Sequence, residues 1–214
     1  MDKMKIINSA QIKAMDQAYR RTFMNSVSGF KNSVLIGTAN AEGQTNLAIF
    51  NSCIHLGANP GALAILFRTL TVSRETYENI KETGFFTVNH IHESIVDRAH
   101  QTSAKYEAGI SEFDACGFTP AYQEGVTAPY VQESQISIGL RFAEEHHIEV
   151  VDTVLVCGKV EFVRINEALI SADGYVDAAA AASVCVNGLD AYHRTELIHR
   201  FEYARPGKET AIIR

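Results

Sequence analysis

The pattern of hydrophobic and polar positions changes from a helical period to a strand period soon after the N-terminus. Segment 10–27 carries apolar residues three or four positions apart, which predicts one amphipathic helix that covers a core or an interface. These residues are Ile12, Met15, Ala18, Tyr19 and Phe23. The stretch SVLIGTAN then alternates as a strand does, and a turn at Gly43 leads into LAIFNSCIHL, so we expect a hairpin here.

The middle of the chain predicts further strands around one clear helix. GALAILF, directly after Pro60, is a nearly continuous apolar run that is typical of a strand buried on both faces. SRETYENIKETG predicts a helix that Ser73 caps, with Glu75 in its positive first turn and Gly84 at its end. FFTVNHI predicts another strand, and ESIVDRAHQTS predicts a short helix.

The second half of the chain combines two long strands with two irregular segments. The long strands are SQISIGLRFAEEHHIEV and DTVLVCGKVEFVRI, joined by a short turn. Segment 104–131 is polar and rich in Gly and Pro, which indicates an irregular connection that binds a ligand or stays disordered. The tail from Asp173 has no clear alternation, and its alanine run indicates a helix or a packed turn.

These elements together favour one antiparallel β domain. The chain lacks the regular alternation of strands and helices that a doubly wound sheet requires, and no repeat, linker or shift in composition divides it. We therefore expect residues 1–214 to form a single barrel or sandwich with peripheral helices.

Composition and charge narrow the classes of partner. The 19 basic and 25 acidic residues give a formal net charge of −6, so no overall positive field attracts nucleic acid or an anionic membrane. No apolar stretch approaches the roughly 20 residues that span a bilayer, and the polar start MDKMKIINSAQ lacks the apolar core of a signal peptide. We expect a cytoplasmic protein without nucleic-acid or membrane partners, in which any anion site is local.

Neither the cysteines nor the histidines predict a metal site. Cys53, Cys116, Cys157 and Cys185 lie far apart and form no C-x-x-C pair, so we expect buried or incidental thiols. His90 and His92 would share one face of a strand near His100, but no carboxylate or thiolate has convincing ligand spacing there. The adjacent His146 and His147 would face opposite sides of a strand and could not bind one ion together.

Three clusters of polar residues are candidates for ligand binding. The stretch FRTLTVSRETYENI combines Arg68 and Arg74 with several hydroxyl groups and a helix start, a combination that suits a phosphate monoester. An alternative remains open, in which the threonines only cap the helix and the arginines are solvated.

The second and third clusters are less specific. The second contains Asn46, Asn51 and Ser52, whose amides and hydroxyl could hydrogen-bond the edge of a planar heterocycle or simply form a turn. The third is a predicted loop that either encloses a ligand or is an ordinary polar connection. Its polar residues are His100, Thr102, Ser103, Lys105 and Tyr106.

Four segments in this order resemble the flavin reductase-like family of FMN-binding split-barrel proteins. They are SVLIGTANAEGQTNLAIFNSC, FRTLTVSRETYENIKETGFFTVNHI, AHQTSAKYEAGISEFDACGF and APYVQES, and the similarity runs from about Asn32 to Arg164 with a looser match in NGLDAYHR. The resemblance implies a mainly β (α+β) fold, a six-stranded antiparallel Greek-key split β-barrel with peripheral helices. It also implies a homodimer that binds FMN at the dimer interface.

The resemblance also assigns cofactor-binding residues. Arg68, Arg74, Thr76 and Asn79 match the segment that approaches the FMN phosphate. The isoalloxazine edge is matched by Asn51, Ser52 and the backbone of Cys53, beside the Asn46 of the second cluster. Asn89 ends the strand that lines the pocket, and Ser103, Ala104, Lys105 and Tyr106 match the loop that closes over the flavin.

The implied activity is that of an FMN-dependent oxidoreductase, most concretely an NAD(P)H:flavin reductase. A flavin accepts a hydride itself, so the protein supplies position, electrostatics and solvent control. Because the chain has no G-x-G-x-x-G fingerprint, NAD(P)H would bind transiently over the flavin. The Gly-Asp-His motif of many family reductases is replaced by SADGYVD and DAYHR, where His193 could take the place of the family histidine.

Two other functions stay open. The altered Gly-Asp-His motif also fits an FMN-binding or redox-sensing protein without enzymatic activity. A cofactor-free hydrolase would use Cys53 or Ser52 as its nucleophile, although the sequence offers no base positioned to activate either group.

Overall fold

A computed structural model describes residues 3–68, 74–107 and 109–213. Its helices are α1 (Ser9–Lys13), α2 (Gln17–Val27), α3 (Glu75–Thr83), α4 (Val96–Gln101) and α5 (Glu112–Ala115). The first six strands are β1 (Lys31–Asn32), β2 (Val34–Ala39), β3 (Thr45–Phe50), β4 (Cys53–Ala58), β5 (Gly61–Phe67) and β6 (Phe85–His90). The others are β7 (Pro120–Gln123), β8 (Val126–Val131), β9 (Ile136–Ile148), β10 (Thr153–Ile165), β11 (Val184–Asn187) and β12 (Ala191–Arg194). Short 3-10 turns occupy Glu93–Ile95, Glu149–Val151 and Glu167–Leu169.

The main sheet has seven antiparallel strands in the order β3-β2-β6-β9-β10-β5-β4. The two edge strands, β3 and β4, are consecutive in the chain and are joined by only Asn51 and Ser52. The two edges of the sheet therefore meet at residues 51–53, which we call the corner. Among the described strands β3 and β4 do not pair with each other, so backbone hydrogen bonds do not close the barrel.

The predicted mainly β, antiparallel architecture with added helices is confirmed, but the main sheet has seven strands where six were predicted. The stretch LAIFNSCIHL, predicted as one strand, is two strands that lie on opposite edges of the sheet. The chain changes direction at Asn51 and Ser52, and polar residues with short side chains are common where a strand gives way to a turn. The break supplies the seventh strand.

Strand β2 lies at the centre of the packing and is buried at all six positions. Val34 and Ile36 face a core cluster inside the curved sheet, together with Phe86 and Leu140. Leu35 faces a second cluster on the outer side, to which α4 and α5 contribute. Polar residues of β2 can be buried only where they find partners, a condition that recurs at the candidate site.

A glycine in β2 allows β8 to cross the outer face of the sheet. A Cβ atom at Gly37 would overlap the Pro129 carbonyl group and would lie 2.7 Å from the Thr87 hydroxyl oxygen. In the native structure the Thr87 hydroxyl donates to the Pro129 carbonyl oxygen at 2.7 Å. The close approach of the two backbones therefore requires glycine at this position.

The N-terminal segment forms two helices where one was predicted. Asp16 interrupts the helical pattern and caps α2, since its carboxylate accepts hydrogen bonds from the backbone of Ala18 and Tyr19. Aspartate favours the N-cap position over a helix interior, which explains the break. No residue of α1 or α2 is buried, and the predicted apolar stripe is only partly covered in the single chain.

Helix α3 agrees with its prediction, and Gly84 ends it in the left-handed conformation at φ 76°. Arg74 flanks its first turn and provides no side-chain cap. The predicted cap, Ser73, lies outside the described residues, as do the hydroxyl residues Thr69 and Thr71.

The two segments predicted as irregular contain regular structure. Segment 104–131 holds α5 and the β7–β8 hairpin, and the tail holds the β11–β12 hairpin, which pairs with β1. These strands are four to six residues long, too short to establish a clear period. The alanine run forms a packed turn in which Ala181 is buried, as one of the two expected alternatives had it. In the described parts of the chain, no helix is long and apolar enough to cross a membrane.

Candidate functional site

Three hydrogen bonds fix the corner, two to its backbone carbonyl oxygens and one from the Asn51 side chain. Leu66 of β5 donates its backbone N–H to the Ser52 carbonyl oxygen at 3.2 Å. The Asn32 side chain donates to the Cys53 carbonyl oxygen at 2.8 Å, and the Asn51 side chain donates to the Gly188 carbonyl oxygen at 3.3 Å. The corner is therefore held by β1, by β5 and by the turn of the tail hairpin.

The tail hairpin brings His193 close to the corner. Cys185 of β11 pairs with Asn32 on one side and with His193 on the other, so the three side chains share one face of the small sheet. The exposed His193 ring makes an edge contact with Phe30 at a centroid distance of 4.8 Å. The Asn187-Gly188 pair, a turn signal between two short apolar runs, could have revealed this hairpin in the sequence.

Aromatic contacts draw the corner, the end of β5 and the start of α3 together. The Phe67 ring lies edge-on to Phe50, the last residue of β3, at 5.1 Å. It also lies edge-on to Tyr77 in the first turn of α3, at 5.6 Å. Arg68 follows Phe67 directly, and Arg74 directly precedes α3, so both exposed guanidinium groups belong to the ends of elements that meet at Phe67.

The start of α3 already carries negative charge. Glu75 and Glu78 lie in the first turn, and a Glu78 carboxylate oxygen accepts the Arg74 backbone N–H at 3.1 Å. Carboxylates at this position satisfy the positive end of the helix. An anionic ligand here would therefore depend on the cations of Arg68 and Arg74 more than on the helix dipole.

Asn46, Thr76 and Asn79 form a buried network beneath α3. The Asn46 amide donates to the Thr76 hydroxyl oxygen at 2.9 Å and to the Thr38 hydroxyl oxygen at 3.3 Å. The Asn79 amide donates to the same Thr38 oxygen at 3.1 Å. These bonds tie the helix to the β2–β3 hairpin, and the side chains are largely hidden from solvent.

The cavity next to this network is acidic. Its volume is about 360 Å³, and three carboxylates of α3 line it together with Asn46 and Asn79. These carboxylates belong to Glu75, Glu78 and Glu82. Their charge opposes a phosphate group, so the chemistry of this cavity does not match the phosphate contacts expected for Thr76 and Asn79.

Asn89 is fully buried inside the fold and has three partners there. Its amide donates to the Leu35 carbonyl oxygen at 3.1 Å and to the Thr87 hydroxyl oxygen at 2.9 Å, and its oxygen accepts the Val131 N–H at 3.0 Å. The residue is 0 % exposed, so in this arrangement it offers a ligand no surface. Its side chain joins β6 and β2 to the end of β8.

The predicted closing loop, residues 103–106, is linked to the tail hairpin through His100, which precedes the loop. The Ser103 hydroxyl donates to the His100 carbonyl oxygen at 2.7 Å, while the His100 ring lies 2.9 Å from the Tyr192 hydroxyl oxygen. Tyr106 packs on the outer core cluster. Ala104 and Lys105 are exposed and free to face a bound molecule.

The corner thiol and hydroxyl are poorly placed to act as nucleophiles. Burial raises the pKa of the Cys53 thiol to about 11, against a smaller opposing effect of Asn32, so the thiol is protonated at neutral pH. The Ser52 hydroxyl donates to the Asn51 amide oxygen at 3.4 Å, and an amide cannot serve as a general base.

The histidines considered for a metal site have separate hydrogen-bond partners. His90 contacts the Ser183 hydroxyl at 3.2 Å, and His92 contacts the Glu133 carbonyl oxygen at 3.0 Å. His100 is engaged with Tyr192. A different group, which the sequence analysis did not identify, brings potential ligands together at Glu144, His146 and Cys157.

Comparison with known proteins places this geometry in a family. The model of the flavin reductase like domain matches residues 27–180. A split-barrel protein from Shewanella frigidimarina NCIMB 400, assigned to the flavin reductases, is 39% identical, with a TM-score of 0.90 over 94% of this chain and 100% of that one. The chain therefore belongs to the flavin reductase-like family, in agreement with the resemblance of its sequence.

More distant structures share the fold. Component B of nitrilotriacetate monooxygenase from Bacillus cereus is 20% identical, with a TM-score of 0.80 over 95% of this chain and 100% of that one. Flavoredoxin of Desulfovibrio vulgaris (Miyazaki F) is 22% identical, with a TM-score of 0.68 over 83% and 91% of the two chains.

Replacing Asn89 distinguishes support of the fold from contact with a ligand. Asn89→Ala leaves the buried Val131 N–H without its partner, and we expect it to lower the free energy of unfolding by about 1–3 kcal/mol. Urea unfolding of flavin-free protein measures the change. Gln123→Ala, at an exposed position of β7, serves as the control, and a variant of Asn89 as stable as the native chain would refute the supporting role.

Proposed function

We propose that this protein is an FMN-dependent oxidoreductase of the flavin reductase type, which takes electrons from NAD(P)H. Membership of the family supports a flavin-dependent redox function. The single observation that supports the location of the site is the convergence of the corner, Arg68 and Arg74 around Phe67. The tail hairpin and the closing loop flank the same region.

In this proposal Arg68 and Arg74 hold the FMN phosphate. Both guanidinium groups are exposed, and each offers a planar set of donors that matches phosphate oxygens. They also offset the carboxylates of the first turn of α3, which would otherwise repel the anion. Asn46, Thr76 and Asn79 act one layer below by holding α3 in place, and Asn89 supports β8.

The corner would hold the isoalloxazine ring. Asn51 and Ser52 are half-buried, and the hydrogen bonds from Asn32 and Leu66 fix the corner backbone. A rigid edge of backbone and amide groups can orient the hydrogen-bonding edge of a planar heterocycle. Ser103, Ala104, Lys105 and Tyr106 would close over it, with Lys105 able to reach a bound anion.

The chain's own groups would position the reactants and exclude water. Bound FMN supplies the redox chemistry, since a flavin accepts a hydride from a nicotinamide and passes electrons on singly or in pairs. His193 lies on the hairpin that contacts the corner and is exposed, so it can meet a nicotinamide that approaches the ring. We assign it a role in nicotinamide binding.

The two alternative functions are not equally well supported. An FMN-binding or redox-sensing protein without enzymatic activity would use the same site, and it remains the second candidate because the Gly-Asp-His motif is altered. A hydrolase is disfavoured because burial raises the pKa of the Cys53 thiol and Ser52 contacts an amide. A cytoplasmic location and the absence of nucleic-acid and membrane partners stay predictions.

A homodimer is also part of the proposal. Tyr19, Phe23 and Val27 of α2 recur every four residues and form a stripe on one face of the helix. Tyr19 is 62% exposed and Val27 is 60% exposed in the single chain. A second copy would cover this stripe at an interface near the site.

The phosphate assignment is tested with Arg68→Ala. Loss of a charge-assisted contact should weaken FMN binding by about 1.5–3 kcal/mol, roughly 10- to 150-fold in Kd. Flavin fluorescence titration with FMN, FAD and riboflavin measures affinity and identifies the preferred flavin. Arg141→Ala removes an exposed arginine that pairs with Glu161 and should leave Kd unchanged. Equal affinities for native protein and Arg68→Ala would place the phosphate elsewhere.

The nicotinamide assignment is tested with His193→Ala. We expect the rate of flavin reduction by NADH or NADPH to fall by about tenfold or more while FMN affinity is retained, since the residue acts on the second ligand. Anaerobic stopped-flow measurement of the absorbance in the visible band of the oxidised flavin follows the reduction. His199→Ala, at an exposed tail position, is the control. FMN that neither nicotinamide can reduce in native protein would favour the non-enzymatic alternative.

The dimer is tested by sedimentation velocity. Native protein should sediment at twice the 23.6 kDa chain mass, and Val27→Asp should shift it toward the monomer because a carboxylate is buried in the interface. Val150→Asp introduces the same charge at a position that is 88% exposed on the β9–β10 hairpin, and it should not alter the mass. A native monomer would exclude a site built from two copies.

A further inference from the structure

Three potential metal ligands meet on the β9–β10 hairpin. Cys157 of β10 lies directly opposite Glu144 of β9, and His146 follows two residues along the same strand. The ligand atoms of the three side chains all lie within 4.8 Å of one another. The His146 Nε2 atom is already 3.3 Å from a Glu144 carboxylate oxygen.

A β-bulge creates this arrangement. Phe142 pairs with Gly158 and packs in the core of the curved sheet, whereas Glu144 pairs with Cys157, so Ala143 is the extra residue between the two pairs. Because side chains alternate along a strand, the extra residue reverses which residues face the core. It turns Glu144 and the following His146 to the side away from the core.

The neighbours on the other face agree with this reversal. Glu145 reaches back to α3, where it accepts a hydrogen bond from Tyr77 at 3.0 Å and contacts Lys81 at 3.2 Å. His147 alternates in the same sense as Glu145 and pairs with Asp152 at 3.0 Å. Glu145 and His147 therefore face the opposite side of the strand from Glu144 and His146. For this reason His147 is not part of the group formed by Glu144, His146 and Cys157.

The donor set matches the preferences of a zinc ion. Zinc binds thiolate, imidazole and carboxylate groups, with bonds of about 2.0–2.3 Å in tetrahedral geometry, which puts the ligand atoms roughly 3.3–3.7 Å apart. The 3.3 Å contact between His146 and Glu144 meets this spacing. Their side chains are 59% and 67% exposed, so they can rotate toward the buried Cys157 thiol without disturbing the core.

We propose that Glu144, His146 and Cys157 bind one Zn²⁺ ion per chain, with water in the fourth position. The site lies on the outer face of the long hairpin and is built from residues that the flavin site does not use. It departs from the expectation that the chain has no metal-binding residues. The proposal does not depend on the function inferred above.

Metal binding by the full-length, flavin-free chain tests the proposal. Competition with a chromophoric chelator gives the Zn²⁺ affinity and stoichiometry, and Co²⁺ substitution reports on the ligands. A tetrahedral cobalt site with a thiolate ligand gives intense visible bands and a sulfur-to-metal charge-transfer band, which depends on Cys157. We expect one ion per chain and both spectral features.

Matched variants identify the ligands. Loss of a mere hydrogen-bond partner of a ligand lowers metal affinity by about 10- to 100-fold, so removal of a ligand should cost at least as much. Glu144→Gln, His146→Gln and Cys157→Ser should each show this loss, and Cys157→Ser should also abolish the charge-transfer band. His147→Gln changes the adjacent histidine and Cys185→Ser changes a half-buried thiol outside the group, and both should keep native affinity.

The outcomes separate clearly. Native protein that binds no Zn²⁺ in the competition assay would overturn the proposal, as would equal affinity in all five variants. Far-ultraviolet circular dichroism of each variant shows whether it is folded. Because Glu144 and His146 are mainly exposed, their variants keep the test decisive even if Cys157→Ser is unstable. FMN binding by the metal-free protein is expected to be unaffected, which distinguishes failure here from failure of the flavin proposal.

Discussion

The fold depends on one constraint, the two-residue connection between the edge strands of the main sheet. Asn51 and Ser52 join β3 to β4, although these strands lie at opposite ends of a seven-stranded order. A connection this short forces the sheet to curl until its edges meet, because two residues span only about 7 Å. The curl produces an interior core, and the point where the edges meet becomes a natural place for polar backbone groups that the sheet does not pair.

Buried polar networks then fix the elements around the corner. Thr38 accepts hydrogen bonds from Asn46 and Asn79, and so orients α3 on the sheet. Asn89 does the same for the crossing of β8. An amide without a partner at such positions would cost free energy, so these networks admit few alternative packings. Arg68 and Arg74 lie next to β5 and α3. The positions of these elements are set by contacts of other residues, not by the two arginines.

The sequence predicted α3, β5, the two long strands β9 and β10, and the family, since their patterns are local. The helix ended by Gly84 and the run GALAILF each contain enough residues to establish a period. Short strands such as β11 and β12 do not, and their pairing with β1 is decided by tertiary contacts. The resemblance identified plausible site segments, but it could not distinguish Arg68, which is exposed, from Asn89, which is buried. The group formed by Glu144, His146 and Cys157 was not anticipated because a bulge, invisible to simple alternation, sets its geometry.

The bond between Asn51 and Gly188 joins positions that are 137 residues apart. Contacts of such separation form late, because a long loop must close before they contribute any stability. While the chain emerges from the ribosome, the central strands can associate well before the tail hairpin exists. The corner therefore acquires its last support only when synthesis has passed β11 and β12, which begin 19 residues beyond the end of β10, the last strand of the main sheet to be made.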